Sequence, residues 1–295
     1  MEYICNDCPR QCGVLRNDES PSGFCRSFAS PSVVRAAPHY GEEPCISGSR
    51  GSGTIFFSGC ALGCIYCQNY AISRRASGKL LSPSQLRDVI LRLADTGVHN
   101  ISLVTASHHV PAVCEALSGL QLGIPVVWNS SGYERVETLR MLEGLVQVYL
   151  PDLKYLRQEP AKEYSSAPDY PSVVKEALRE MFRQTGSYVM DDDGILQHGL
   201  LIRHLILPGQ EQNTMECIDY VAEAFPEDSV LFSLMSQYTP PSTLEGYPEL
   251  SDPIGPGLSE WMNDYMLRRG IRNGYWQDPS SATEELLPAF DGTGV

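Results

Sequence analysis

From Thr54 onward, short apolar runs alternate with longer stretches whose apolar residues recur at helical spacing. Runs of this kind bounded by turn formers read as buried strands, and the longer amphipathic stretches read as helices. The pattern predicts strands near 54–58, 100–105, 125–129, 146–152, 200–207 and 229–235. It predicts helices near 82–96, 110–119, 133–144, 171–185, 213–224 and 256–269. Ser82 and Pro83 mark one helix start, as an N-cap hydroxyl and a first-turn proline. Strand and helix in alternation imply a parallel sheet with crossover helices. The expected fold class is therefore α/β, a partial (β/α)6 barrel, with a closed eight-fold barrel as the alternative.

Residues 1–45 lack this periodicity and are rich in Cys, Pro, Ser and Gly. They are expected to form a small Cys-rich metal-binding module. A Gly/Ser-rich stretch, Ile46 to Gly53, then leads into the barrel, expected over 46–277. The polar segment 278–295 is expected to be a flexible tail. With 295 residues, 42% apolar and 20% charged, the chain has the balance of a globular enzyme. A net charge of −14 argues against a phosphate-binding surface, so no nucleic-acid partner is expected. Met1–Arg10 has no charged start followed by an apolar run, and the most apolar stretches are too short to span a bilayer. A cytoplasmic protein without a membrane partner is expected.

Eight of the ten cysteines fall within the first 67 residues. In a cytosolic chain they read as metal ligands rather than disulfides. Cys60, Cys64 and Cys67 are spaced x3 and x2, so their thiolates can converge on one centre. Three thiolates on a cubane iron–sulfur cluster leave one iron open to an outside molecule, whereas structural zinc sites close with four ligands. Gly59 and Gly63 suit a loop wrapped tightly round such a centre. Cys5, Cys8, Cys12 and Cys25 form a second group whose four ligands can close a zinc or an auxiliary iron–sulfur site. Cys45 is an orphan whose loop can approach either group. Cys114 and Cys217 fall in expected helices and read as small apolar residues.

The segment Gly53-Thr-Ile-Phe-Phe-Ser-Gly-Cys60-x3-Cys64-x-Tyr66-Cys67-Gln-Asn69 resembles the radical S-adenosylmethionine (SAM) superfamily. It is similar to the activating enzymes of glycyl-radical enzymes, and more so to uncharacterised homologues of pyruvate formate-lyase activating protein. The resemblance extends over most of residues 1–275. It implies that Cys60, Cys64 and Cys67 hold a [4Fe–4S] cluster whose open iron binds SAM, and that the reduced cluster cleaves SAM to a 5′-deoxyadenosyl radical. It also implies an electron donor such as flavodoxin or ferredoxin, and a protein substrate if the hydrogen removed is a glycine Cα. Modification of a small molecule or another peptide is an alternative within the same chemistry. A non-catalytic metal-binding or electron-carrying protein is the alternative of another class.

Further residues carry the resemblance. Tyr66 matches the aromatic beside the SAM adenine. Asp152 and Lys154, two apart and so on one side of a strand, match an Asp-Leu-Lys motif that contacts SAM. Arg203, ahead of Leu207-Pro-Gly209, matches an arginine that binds the SAM carboxylate, a task suited to its planar fork; pairing with an acidic neighbour is the plainer alternative. His204 faces the other way and reads as packing. The chain also departs from the family. Where many members carry Gly-Gly-Glu it has Val104-Thr105-Ala-Ser107-His108-His109, so Thr105 and Ser107 become the candidate contacts, with one histidine able to face the ligand. Asn129 and Ser131 place small polar groups at the barrel mouth. Gln237, with Tyr238 behind it, stands where activating enzymes place a histidine.

Overall fold

The structure is a computed structural model that describes residues 2–241, 244, 246–277 and 288–295. Strands β1 (Tyr3–Cys5) and β2 (Val14–Arg16) form a small antiparallel hairpin. β3 (Ser32–His39) runs antiparallel to β4 (Ser52–Phe57), and the two-residue β5 (Lys79–Leu80) pairs with the start of β3. From β4 the sheet continues through β6 (Ile101–Val104), β7 (Val126–Ser130) and β8 (Val148–Pro151), all parallel. β9 (Val189–Met190) is a short antiparallel partner of β10 (Leu196–Leu205), which pairs parallel with β8. β11 (Leu231–Met235) and β12 (Gly274–Trp276) complete the parallel run.

All six expected strands are present, and the sheet is an open partial barrel rather than a closed eight-stranded one. β12 adds a seventh parallel strand that its three residues were too short to announce. The helices Pro83–Asp95, Val110–Leu117, Val136–Arg140, Tyr170–Thr185, Glu211–Ala224 and Pro256–Arg268 lie at the expected places. The helix Gln158–Ser165 was not anticipated. Ser82 caps its helix as expected: its hydroxyl accepts from Gln85 N at 3.2 Å, while the Gln85 side chain accepts from Ser82 N at 2.8 Å.

Two expectations about organisation change. β3 lies within the expected N-terminal module yet joins the main sheet, because Ser32-Val-Val-Arg-Ala-Ala pairs along β4. Of the expected tail, 278–287 lie outside the described residues, but 288–295 are docked rather than free. Gly292 N donates to Val34 O and Ala36 N donates to Thr293 O, at 3.0 and 2.9 Å. Phe290 packs edge-on against Phe56, and Asp291 pairs with Arg35. No helix among the described residues is long and apolar enough to cross a membrane.

Alternation along the strands divides the barrel interior into layers. Val127, Val148, Leu150, Leu201 and Leu231 fill the lower lumen together with Cys45 and Ile46 of the short helix Pro44–Ser47. Cys45 is thus part of the apolar filling and approaches neither cysteine group. Two positions further along the same faces stand Asn129, Asp152 and Arg203, at the ends of the strands where βα loops gather. Cys217 is fully buried as expected, whereas Cys114 is only partly buried and donates to Met141 O.

Replacing Ser82 with Ala should lower unfolding free energy by about 1 kcal/mol, the usual worth of such a cap. Urea unfolding of the two proteins checks this, and an unchanged midpoint would contradict the role given to the cap.

Candidate functional site

The loop after β4 presents Cys60, Cys64 and Cys67 to one cavity of about 250 Å³. Its path is fixed by the backbone: Gly59 N donates to Ile72 O, Ile65 N to Tyr164 O, and Cys67 N to Cys64 O. Gly59 and Gly63 both have positive φ, +82° and +70°. A Cβ at Gly59 would sit 2.6 Å from the Cys25 carbonyl, and one at Gly63 would sit 2.3 Å from Arg74 Nη1. Both turns favour glycine, and at Gly59 the backbone approach demands it as well. Arg10 braces the loop from outside, donating to Ala61 O at 3.0 Å, Leu62 O at 3.2 Å and Ser165 O at 2.8 Å.

Burial raises the Cys60 thiol above its ordinary pKa and pushes Cys67 up to about 12. Such thiols ionise when a metal centre takes the proton's place. Among the described residues no three Cys, His, Asp or Glu side chains stand close enough to hold a single metal ion as they are. The three cysteines instead share a cavity wall, the arrangement suited to a multi-iron centre with one corner open. Ser165 Oγ donates to Cys64 Sγ at 3.1 Å and shares a hydrogen bond of 2.9 Å with the Tyr155 hydroxyl. Tyr155 in turn lies 2.7 Å from the Tyr66 hydroxyl. Tyr66 is nearly fully buried, its ring edge-on to Tyr155, Tyr164 and Tyr238.

The structure brings nearly all the expected residues to this cavity. Tyr66, Thr105, Asn129, Ser131, Asp152, Lys154, Arg203 and Gln237 line it beside the cysteines. Ser107 does not. Thr105 has a left-handed backbone, φ +61°, which is costly for a β-branched residue. The chain turns there, and Ser107 Oγ points instead to Glu134 Oε1, at 2.8 Å. Glu134 is buried and also accepts from Trp128 and Ser130; burial raises its pKa even so. His108 and His109 are buried away from the cavity, their pKa values lowered by burial, His108 to about 3. His204 packs between Leu153 O and the Thr214 hydroxyl, as its position on β10 implied.

Lys154 Nζ pairs with Asp152 at 2.7 Å. Burial opposes charge on the lysine, but Asp152 and the cysteines outweigh it and its pKa stands above normal. Arg203 takes the plainer of its two expected roles, pairing with acidic neighbours. Its Nε donates to Glu43 Oε1 at 2.9 Å, and its Nη2 bonds both Glu42 and Glu43. Protein carboxylates therefore hold the fork that the resemblance assigned to a ligand carboxylate. Burial disfavours charge on Arg203, but Glu42 and Glu43 raise its pKa far more. Burial likewise acts against ionised Glu43, and Arg203 overcomes it to lower that pKa. Glu42 also accepts from Asn129 Nδ2 at 3.3 Å and lines the cavity floor. Glu42 and Asp152 line the cavity with Lys154 and Arg203, and Glu43 lies behind Arg203. Neither glutamate was a candidate from sequence, because Gly41-Glu-Glu43 precedes a proline in a segment without periodicity.

An open parallel barrel with three loop cysteines, an acid–lysine pair and a polar rim at the strand ends defines a class of metal-cluster enzyme. The family model of the Radical SAM superfamily matches residues 54–235, more than half of the chain, and the chain belongs to that superfamily. It is similar to the uncharacterised protein MJ0674 of Methanocaldococcus jannaschii, 29% identical over 260 residues that cover 84% of this chain and 69% of that protein. Among solved structures it is similar to SuiB of Streptococcus suis, with a TM-score of 0.47 and 15% identity. That match covers 73% of this chain but only 46% of SuiB.

A donor on a cluster thiolate favours the more negative, reduced state. Ser165→Ala should therefore lower the midpoint potential of any cluster bound through Cys64. A redox titration followed by electron paramagnetic resonance reads this, and an unchanged or raised potential would contradict it.

Proposed function

We propose that this chain cleaves SAM reductively and uses the resulting radical to remove hydrogen from a substrate. The carrying observation is that Cys60, Cys64 and Cys67 share one cavity with Asp152, Lys154, Asn129 and Ser131. In this reading the three thiolates hold a [4Fe–4S] cluster with SAM on its open iron. The bound pair supplies an electron and, on cleavage, a 5′-deoxyadenosyl radical. The chain's own groups bind and orient. Lys154, charged and fixed by Asp152, offers the cation for the SAM carboxylate that Arg203 is less free to give. Tyr66 and Gln237 wall the side expected for adenine and ribose, while Thr105, Asn129 and Ser131 offer hydrogen bonds. The buried walls keep water from a reactive radical.

For the hydrogen donor, the likeness of residues 53–69 to glycyl-radical activating enzymes favours a glycine Cα in a partner protein, with flavodoxin or ferredoxin as electron source. The absent Gly-Gly-Glu and the N-terminal module favour the second reading, a small molecule or other peptide. A second metal site on Cys5, Cys8, Cys12 and Cys25 belongs to the same proposal as a companion centre, since SAM cleavage needs only the first.

Anaerobically reconstituted protein with a strong reductant should turn SAM into 5′-deoxyadenosine and methionine, and Cys64→Ala should abolish this. No cleavage by the parent protein would sink the enzymatic reading and leave the non-catalytic metal protein. Deuterium passing from glycine-labelled partner protein into 5′-deoxyadenosine would support activation; its absence would point to the other substrate classes.

A further inference from the structure

The N-terminal cysteines and the residues packed on them carry an inference independent of SAM. The hairpin of β1 and β2 sets Cys5 opposite Val14 and Tyr3 opposite Arg16. Burial pushes the Cys8 thiol up to about 12, and the nearby Cys25, Cys5 and Cys12 add to the rise. Cys12 Sγ and Cys25 Sγ both crowd Gly23, where a Cβ would lie 3.2 and 3.8 Å from them. Cys5, Cys8 and Cys25 are buried, and Cys12 alone is exposed. The four thiols thus belong to one corner of the module, although as they stand no three of them are close enough to share a single ion.

Arg16 is aimed into that group. It is 0% exposed, and its Nη2 donates to Cys25 Sγ at 2.7 Å. Its Nη1 donates to His108 O at 2.8 Å, and its Nε has no partner. Among the described residues it forms no salt bridge with a carboxylate, and the side-chain atom it meets is Cys25 Sγ. A guanidinium does not lose its proton in proteins, and burying one without a counter-charge is expensive. Four neutral thiols give it no anion. Four thiolates on a divalent ion, or on a [4Fe–4S] core of charge two plus, carry a net charge of about −2.

We propose that Cys5, Cys8, Cys12 and Cys25 form a four-thiolate metal centre, that Arg16 is its buried counter-cation, and that the filled centre orders the loop carrying Cys60. The connection runs through two arms. Arg16 holds His108 O, and the His108 ring lies 2.9 Å from Ser58 O, two residues before Cys60. Arg10, between Cys8 and Cys12, stacks at 3.8 Å over Phe24, the neighbour of Cys25, and grips Ala61 O and Leu62 O. Losing the metal leaves Arg16 without an anion and loosens the frame that holds both arms. The role of the companion centre proposed above is thereby made specific: it supports the first site without touching the reacting molecules.

The test uses full-length protein with Cys60, Cys64 and Cys67 replaced by Ala, purified anaerobically. Either ~1 zinc per chain, or about four irons with matching sulfide, supports the centre and names its metal. Neither metal above the level found after further Cys5→Ala and Cys8→Ala substitution overturns it. In the same background Arg16→Met should weaken retention against a chelator by roughly 10–100-fold, the usual effect of losing a group that supports metal ligands. Arg16→Lys, which keeps the charge, should recover part of this. Equal retention by the Met variant overturns the counter-cation role. Should the Met variant not fold, hydrogen exchange decides: chelation should deprotect the amides of residues 58–63, and unchanged protection overturns the coupling. SAM cleavage enters none of these readouts, so a failed cleavage assay would leave this proposal standing.

Discussion

The clamp of Glu42 and Glu43 on Arg203 is the interaction on which the barrel interior depends. It joins the turn after β3 to the far end of β10, 160 residues away. The short helix Pro44–Ser47 is carried in with it, and Cys45 and Ile46 seal the apolar layer beneath. Breaking a buried ion pair by removing one partner costs about 3–5 kcal/mol, because a charge is stranded where water cannot reach it. Two carboxylates on one fork also leave Asn129 to share Glu42, so the clamp sets the cavity floor as well as the seal.

Above that floor the site follows from strand geometry. Alternate residues of β7, β8 and β10 face inward, apolar low in the lumen and polar at the strand ends. The cysteine loop leaves β4 at the same end, so metal ligands and polar rim meet without any long excursion of the chain. Arg10, from the N-terminal module, then fixes the outer side of the loop.

Much of this was legible in the sequence because it rests on local periodicity. The six main strands follow from their apolar runs, and the inward pairing of Asp152 with Lys154 follows from their spacing of two. Contacts between distant segments were not legible. Nothing in the Arg203 motif signals Glu42 and Glu43, and nothing in a polar C-terminus signals Phe290 docking on Phe56. Ser107 fails for another reason: it was a candidate only because its segment stands where the family carries Gly-Gly-Glu, and the left-handed backbone at Thr105 turns the serine toward Glu134. β3 was hidden by the Cys- and Gly-rich composition on either side of it.

Under the proposed function, the carboxylates at and just behind the cavity wall bear on turnover. In a radical SAM enzyme the molecule that enters carries one net positive charge, from its sulfonium. Methionine and 5′-deoxyadenosine carry none. Where dielectric screening is weak, that difference is felt strongly. In the proposed reading, carboxylates set there to hold the fold together would also favour a cationic reactant over its neutral products.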